Sequence, residues 1–242
     1  MTLYLSISKN EQALAEKFVE VADALGEEAI SRDGRFLISL TGEATLKPFY
    51  HVWAEQSRLD WNRVMIVFGD EWCVPPDDTR TNYHMIKEHL LERVFGEPQV
   101  LKMVRQPNDP ARAAREYHAQ LKEVLGADKK VHLSLFGLRP EGDTASLYAN
   151  SSALREGSQF CAVTATPDGS ATLLTLTMAL YKRCHKIMFL ASGREQAKGV
   201  ANLLEGPLDP EALPCQFFLR DDRLNVNLLL DADAAGLLKK RG

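Results

Sequence analysis

The chain of 242 residues is 45% hydrophobic and 26% charged, with a formal net charge of -4. This ordinary globular composition excludes a disordered or collagen-like chain, and the length supports one substantial core, so one domain over residues 1–242 is expected. The acidic balance, with no basic stripe, excludes a general nucleic-acid binder. No apolar run approaches a bilayer span, so no membrane partner is expected and the location read from the sequence is cytoplasmic.

From residue 11 to residue 30, Leu14, Phe18, Val21 and Leu25 recur at helical spacing and predict an amphipathic helix that packs on a sheet. Residues 35–40 then read as a buried strand, and Thr41-Gly42-Glu43-Ala44-Thr45 turns it into a helix running through Trp53. A strand, a glycine turn and a helix can hold phosphate, because the first amides of a helix lack intrahelical partners and point outward; structure alone also produces such turns. A carboxylate about 4 Å from a phosphate dianion costs roughly 8 kcal/mol at an effective dielectric near 20. Glu43 is therefore expected to point away if an anion binds at this turn.

Residues 63–68 form the next predicted strand, followed by an acidic, proline-containing turn over 69–78 and a helix over 82–94. Read alone, Asp70 and Glu71 are solvated turn acids. Residues 97–108 show no clear pattern, and 110–125 are helical by their Ala, Glu and Leu content. His118 in that helix and His132 at the next strand lack catalytic neighbours and read as surface or packing residues.

The run 131–136 is apolar enough for a buried strand, and Gly137 breaks it where an open α/β sheet places its ligands. The loop that follows, through Tyr148, gathers Arg139, Glu141, Asp143, Thr144 and Ser146 and is the candidate active site. Gly142-Asp143-Thr144 taken alone is equally a turn and a helix cap.

Beyond the loop, the sequence predicts a strand over 159–164, a turn over 167–170, a helix opening at 175–181 and a buried strand over 185–191. Ser192-Gly193-Arg194 opens a further helix and gives a second turn able to face an anion. The tail reads as paired strands over 215–219 and 224–230 around Arg220-Asp221-Asp222, closed by a helix over 231–238. Cys73, Cys161, Cys184 and Cys215 are scattered, form no zinc-ligand spacing and read as buried or incidental thiols.

The central loop resembles that of the 6-phosphogluconolactonase family, whose members carry a glycine, a few residues and then Asp-Gly-His-Thr-Ala-Ser-Leu-Phe. Gly137, Gly142, Thr144, Ala145, Ser146 and Leu147 match, Tyr148 replaces Phe, Glu141 replaces Asp, and Asp143 stands where the histidine would be. Asp70, Glu71, Val74, Pro75, Asn82, Tyr83, Leu90 and Leu91 fit the family's Asp-Glu-Arg block and the segment after it, with Trp72 in place of the arginine. Gly42, Thr45 and Lys47 are retained from its Ser-Gly-Gly-Ser-Thr-Pro-Lys turn. Thr172, Leu173 and Gln196 replace an arginine pair and a late lysine, with Arg194 and Lys198 as nearby cations.

What this resemblance implies is a Rossmann-like α/β fold, a three-layer sandwich with a mostly parallel sheet, hydrolysing 6-phosphogluconolactone in the pentose phosphate pathway. It implies water as the nucleophile, a small-molecule sugar phosphate as the partner, and no metal or organic cofactor. Asp143, Glu141, Asp70 and Glu71 would be the catalytic carboxylates, with Asp143 as the base. Gly42, Thr45, Lys47, Arg139, Thr144, Ser146 and Arg194 would bind substrate, and Trp72 is expected to pack over the loop bearing Asp143. The alternative is a paralogue that keeps the scaffold to bind or regulate without catalysis. An amino-sugar phosphate deaminase or isomerase fits the Asp-Glu and Thr-Ala-Ser-Leu blocks less well.

Overall fold

The structure, a computed structural model, describes residues 2–221 and 223–239. The elements in order are β1 (Thr2–Ser8), α1 (Glu11–Asp33), β2 (Phe36–Leu40), α2 (Lys47–Gln56), β3 (Val64–Phe68), β4 (Asp70–Trp72), α3 (Asn82–Ile86), β5 (Gln99–Leu101) and α4 (Pro110–Leu125). Then follow β6 (Val131–Gly137), β7 (Cys161–Ala165), β8 (Thr172–Leu176), α5 (Met178–Tyr181), β9 (Cys184–Ala191), α6 (Ala197–Glu205), α7 (Phe217–Arg220) and β10 (Asn225–Asp231). Seven strands form one parallel sheet in the order β1-β10-β9-β6-β2-β3-β5, and β4, β8 and β7 form a small antiparallel sheet. Helices flank the large sheet, giving the Rossmann-like three-layer arrangement. Every residue of β2 and β6 is buried, as strands covered on both faces require.

The first helix shows how sequence becomes packing here. Asn10 caps it by accepting from Ala13 N, and Gly34 ends it in the left-handed region at φ 77°. Leu14, Phe18, Ala22 and Ala29 are buried on its inner face, while Val21 and Leu25 sit on the flank, partly buried. Asp23 shares the inner face and accepts from Trp53 Nε1, Ser57 Oγ and Arg58 N, which fixes α1 against α2. A buried carboxylate is tolerated there because three donors converge on it.

The parallel register places the chemistry. Leu40 at the end of β2 is level with Phe68 at the end of β3, and Ser39 of β2 is level with Ser134 of β6. The segments leaving these strands, 41–45, 69–72 and 137–148, therefore emerge side by side at one end of the sheet.

Several expected elements differ. Thr175 and Leu176, expected to open a helix, instead end β8, because β4 and β7 both pair with that strand, and helix begins only at Met178. Asp70 and Glu71 lie in β4 and are buried rather than solvated. The tail forms no hairpin: β10 already has β1 on one side and β9 on the other, so residues 215–219 have no edge to join and coil into a short helical segment after Pro214. Residues 232–237 form turns, not a helix, and Asp222 lies outside the described residues. The helix expected over 82–94 stops at Ile86 and continues as a π-helical turn over Lys87–Leu91, and the unassigned stretch 97–108 contains β5.

His118 and His132 are packing residues, as read. His118 Nδ1 accepts from Phe160 N, and His132 Nδ1 accepts from Leu37 N. All four cysteines are free thiols, and burial pushes those of Cys184 and Cys215 up to about 12.

Candidate active site

A cavity of about 280 Å3 opens where the three segments meet. Gly42, Glu43, Ala44 and Thr45 line it from the turn after β2, Asp70 and Trp72 from β4, and Arg139, Ala145, Ser146 and Tyr148 from the loop after β6. Asn82 and Leu173 complete the wall.

Asp70 is brought here by the pairing of β4 with β8, opposite Thr175. Ser146 Oγ donates to its Oδ2 at 2.6 Å, Asn82 Nδ2 donates to its backbone carbonyl at 2.8 Å, and Oδ1 is buried without a partner. Burial pushes the carboxyl up to about 6, opposed first by the Ser146 hydroxyl, whose bond favours the charged form. Near neutrality Asp70 is thus mostly ionised and already bonded to a hydroxyl that lines the cavity.

Glu43 does not point away. Its Oε1 accepts from Thr144 Oγ1 at 3.1 Å and from Ala145 N at 3.3 Å, while Oε2 is buried without a partner. The carboxyl lies against the bare Cα of Gly137, where an added Cβ would come 2.2 Å from Oε2. Burial, and then the nearby Asp70 carboxylate, push Glu43 up to about 8. A carboxyl raised in this way shifts toward its protonated form, which lessens the repulsion expected between Glu43 and an anion.

The 144–146 segment that receives both carboxyls is strained. Ala145 and Ser146 both adopt left-handed backbone, at φ 48° and 55°, each costing about 1–2 kcal/mol outside glycine. Thr175 Oγ1 donates to Ala145 O, Leu147 N donates to Thr144 O, and the bonds to Glu43 and Asp70 complete the restraint. Strain held this firmly is a mark of functional loops.

Arg139 is the one Lys or Arg among the residues lining this cavity. It is half-exposed and forms an ion pair with buried Asp143, donating from Nε to Oδ1 at 3.0 Å and from a terminal nitrogen to Oδ2. Asp143 is not on the cavity wall, and both its oxygens face the guanidinium. Trp72 is half-buried and lines the cavity together with Arg139, Ser146 and Tyr148, and Leu173 adds apolar wall.

The remaining candidate residues lie off the wall. Glu71 is buried, and its carboxylate accepts from Trp72 N, Asn82 N and Tyr83 N, capping α3; burial nevertheless pushes it up to about 7. Glu141 and Lys47 are exposed. Arg194 is exposed and pairs with Asp233 at 3.4 Å. The second anion-facing turn is filled by the chain itself: Gly193 N and Ser192 Oγ both donate to the Asp231 carboxylate. Gln196 is buried with Oε1 unpartnered.

Asn82, Tyr148 and inward-facing Glu43 complete the site, and sequence reasoning gave them no such role. Asn82 was visible only as a family match, and Glu43 meets its partners 101 and 102 residues away. Among the described residues, no group of three or more His, Cys, Asp or Glu side chains is arranged to hold a metal ion.

A family model described as glucosamine-6-phosphate isomerases/6-phosphogluconolactonase matches residues 9–226. The chain belongs to this family. A 6-phosphogluconolactonase of Treponema pallidum is 28% identical over 206 residues, covering 83% of this chain and 84% of the relative. One from Synechocystis is 29% identical over 213 residues, covering 86% and 88%. Among solved structures, a 6-phosphogluconolactonase of Leishmania guyanensis superposes with a TM-score of 0.83 at 25% identity, over 99% of this chain and 100% of that one. A 6-phosphogluconolactonase of Shewanella baltica gives 0.85 at 19% identity, over 96% and 98%, and supports the shared fold. In this member of the isomerase and lactonase family, the cavity at the strand ends combines the raised carboxyls of Asp70 and Glu43 with a guanidinium held by Asp143.

Proposed function

We propose that the chain hydrolyses 6-phosphogluconolactone to 6-phosphogluconate, with water attacking the lactone carbonyl. Family membership and the lactonase relatives support the substrate class. The observation that carries the chemistry is the 2.6 Å bond from Ser146 Oγ, on the cavity wall, to the buried Asp70 carboxylate.

In this reading Ser146 accepts a proton from water as it passes its own to Asp70, so the base acts through a hydroxyl that faces the substrate. The new C–O bond forms at the carbonyl carbon, the ring C–O bond breaks, and the ring oxygen leaves as the sugar hydroxyl by taking back, through Ser146, the proton that Asp70 received. Arg139, oriented by Asp143, supplies positive charge to the anionic oxygens of the substrate and of the tetrahedral intermediate. Glu43 stays protonated near neutrality and so adds no second negative charge beside Asp70. Gly42, Thr45 and Thr144 shape the same wall and its support, and Glu71 holds α3 and Asn82 in place. The proposal carries with it a cytoplasmic setting and a phosphorylated sugar as partner.

The test is lactone hydrolysis measured above the spontaneous rate by coupling product formation to a 6-phosphogluconate dehydrogenase. Turnover that falls about 100-fold in Asp70→Asn, the lower range of what a positioned base contributes, supports the reading. A natural protein no faster than buffer, yet able to bind 6-phosphogluconate, overturns it in favour of a silent binding protein.

A further inference from the structure

A second cavity, of about 400 Å3, lies at the opposite end of the strands. It opens where α1 ends at Asp33 and where β2, β6 and β9 begin. Along β2 it is roughly 20 Å from the catalytic turn, at ~3.3 Å per residue.

The charge of this cavity is opposite in sign to that of the chain. Arg32, Arg35, Lys129 and Lys130 line it against two carboxylates, Asp33 and Asp128. Asp33 is already engaged, accepting from Arg32 at 2.8 Å and from His132 Nε2 at 2.9 Å, and these donors, the Arg32 bond first, hold it down to about 2. His132 is fixed as the neutral ring, since its Nδ1 accepts from Leu37 N at 2.8 Å while Nε2 donates to Asp33. Arg35 donates to Val124 O, a neutral partner. Among the described residues, neither Lys129 nor Lys130 takes part in an ion pair. His185 completes the wall; burial first, and then Arg32, Lys186 and Lys130, depress its pKa, with Glu28 opposing.

The geometry points to a second anion site in this cavity, one that takes a small phosphorylated metabolite. The volume falls in the range of small-molecule pockets. The ammonium groups of Lys129 and Lys130 and the guanidinium of Arg35 line one concavity and match the oxygens of a phosphate ester, while Arg32, bonded to Asp33 and Glu28, adds charge rather than a free fork. A flat basic stripe, the form suited to nucleic acid or a membrane surface, is not what the cations make.

His185 reports on the site directly. Its ring pKa is followed by NMR, assigned by loss of the signal in His185→Gln, in chloride and in inorganic phosphate at matched ionic strength. Phosphate is expected to raise the pKa further than chloride does. In the double variant Lys129→Gln/Lys130→Gln that extra rise is expected to vanish and phosphate affinity to fall about ten-fold, the equivalent of about 1.4 kcal/mol. Both lysines are exposed and remote from the catalytic cavity, so lactone hydrolysis should be unchanged. A rise in phosphate no greater than in chloride overturns the proposal, as does a double variant that responds like the natural protein.

Discussion

Arg139 and Asp143 form a two-point ion pair four residues apart in one loop, with Arg139 Nε 3.0 Å from Asp143 Oδ1. The carboxylate at the position where the resemblance places a histidine is thus committed to holding a guanidinium on the cavity wall. The pair behaves as one unit: neither residue has the same role without the other.

Asp143→Asn should therefore act mainly through Arg139. An amide can accept only one of the two donors, and the guanidinium loses its anchor. The expected result is a several-fold rise in KM with a smaller change in kcat, and a loss of about 1–2 kcal/mol of stability after allowing for the exposure of Arg139. Asp143→His alone should lose as much stability, because imidazole cannot accept two guanidinium donors. A kcat that collapses in Asp143→Asn while KM stays fixed would assign the proton transfer to Asp143 itself. Steady-state kinetics and thermal unfolding on the same preparations decide between them.

Ser146→Ala removes the hydroxyl and leaves Asp70 without its hydrogen-bonded side-chain partner. The charged form loses its donor, so the carboxyl should titrate above its present value of about 6. The acid limb of the kcat/KM profile is expected to move to higher pH by about one unit, as loss of one charge-assisted bond implies. The maximal rate should fall about 100-fold with the relay gone. An unmoved acid limb would separate Asp70 from the rate.

Stability should decline with rising pH across the neutral range. Glu43, Asp70 and Glu71 titrate near 8, 6 and 7 in the folded protein, above their ordinary 4.5, 3.8 and 4.5. The folded state binds these protons more tightly, so the stability they contribute is complete below about pH 4 and is lost as pH rises through 6 to 8. Asp33, Asp78, Asp168 and Asp221, held down to about 2 by their hydrogen bonds, act in the opposite sense but below that window, and His89, His118, His132 and His185, which burial holds below their ordinary 6.5, oppose the decline only up to about that pH. The midpoint of thermal unfolding is expected to fall between about pH 5 and pH 8.5, at roughly 2–4 °C per kcal/mol. Glu43→Gln should flatten the decline. A slope that survives in Glu43→Gln unchanged would show that Glu43 carries no such proton.

Much of this protein is legible in its sequence. Continuous apolar runs marked strands over 35–40, 63–68, 131–136 and 185–191, each within a residue of the strand found, and the glycines near their ends marked where the chain turns outward. The Asp-Glu and Thr-Ala-Ser-Leu blocks carried the family because each is a short contiguous run, although Asp70 and Ser146 meet only across 76 residues of chain.

What only the tertiary structure decided depends on partners far apart in sequence. Glu43 turns inward because Gly137 leaves room and Ala145 offers an amide, both about a hundred residues away, and no local pattern encodes that. Whether residues 172–176 or 215–219 become strand depends on which sheet edges are open: β4 and β7 take the first, while β1 and β9 leave none beside β10 for the second. The turn at Gly193 looked ready for an anion until β10 delivered Asp231 to its amide. Local propensity sets which conformations a segment can adopt, and long-range hydrogen bonds and burial select among them.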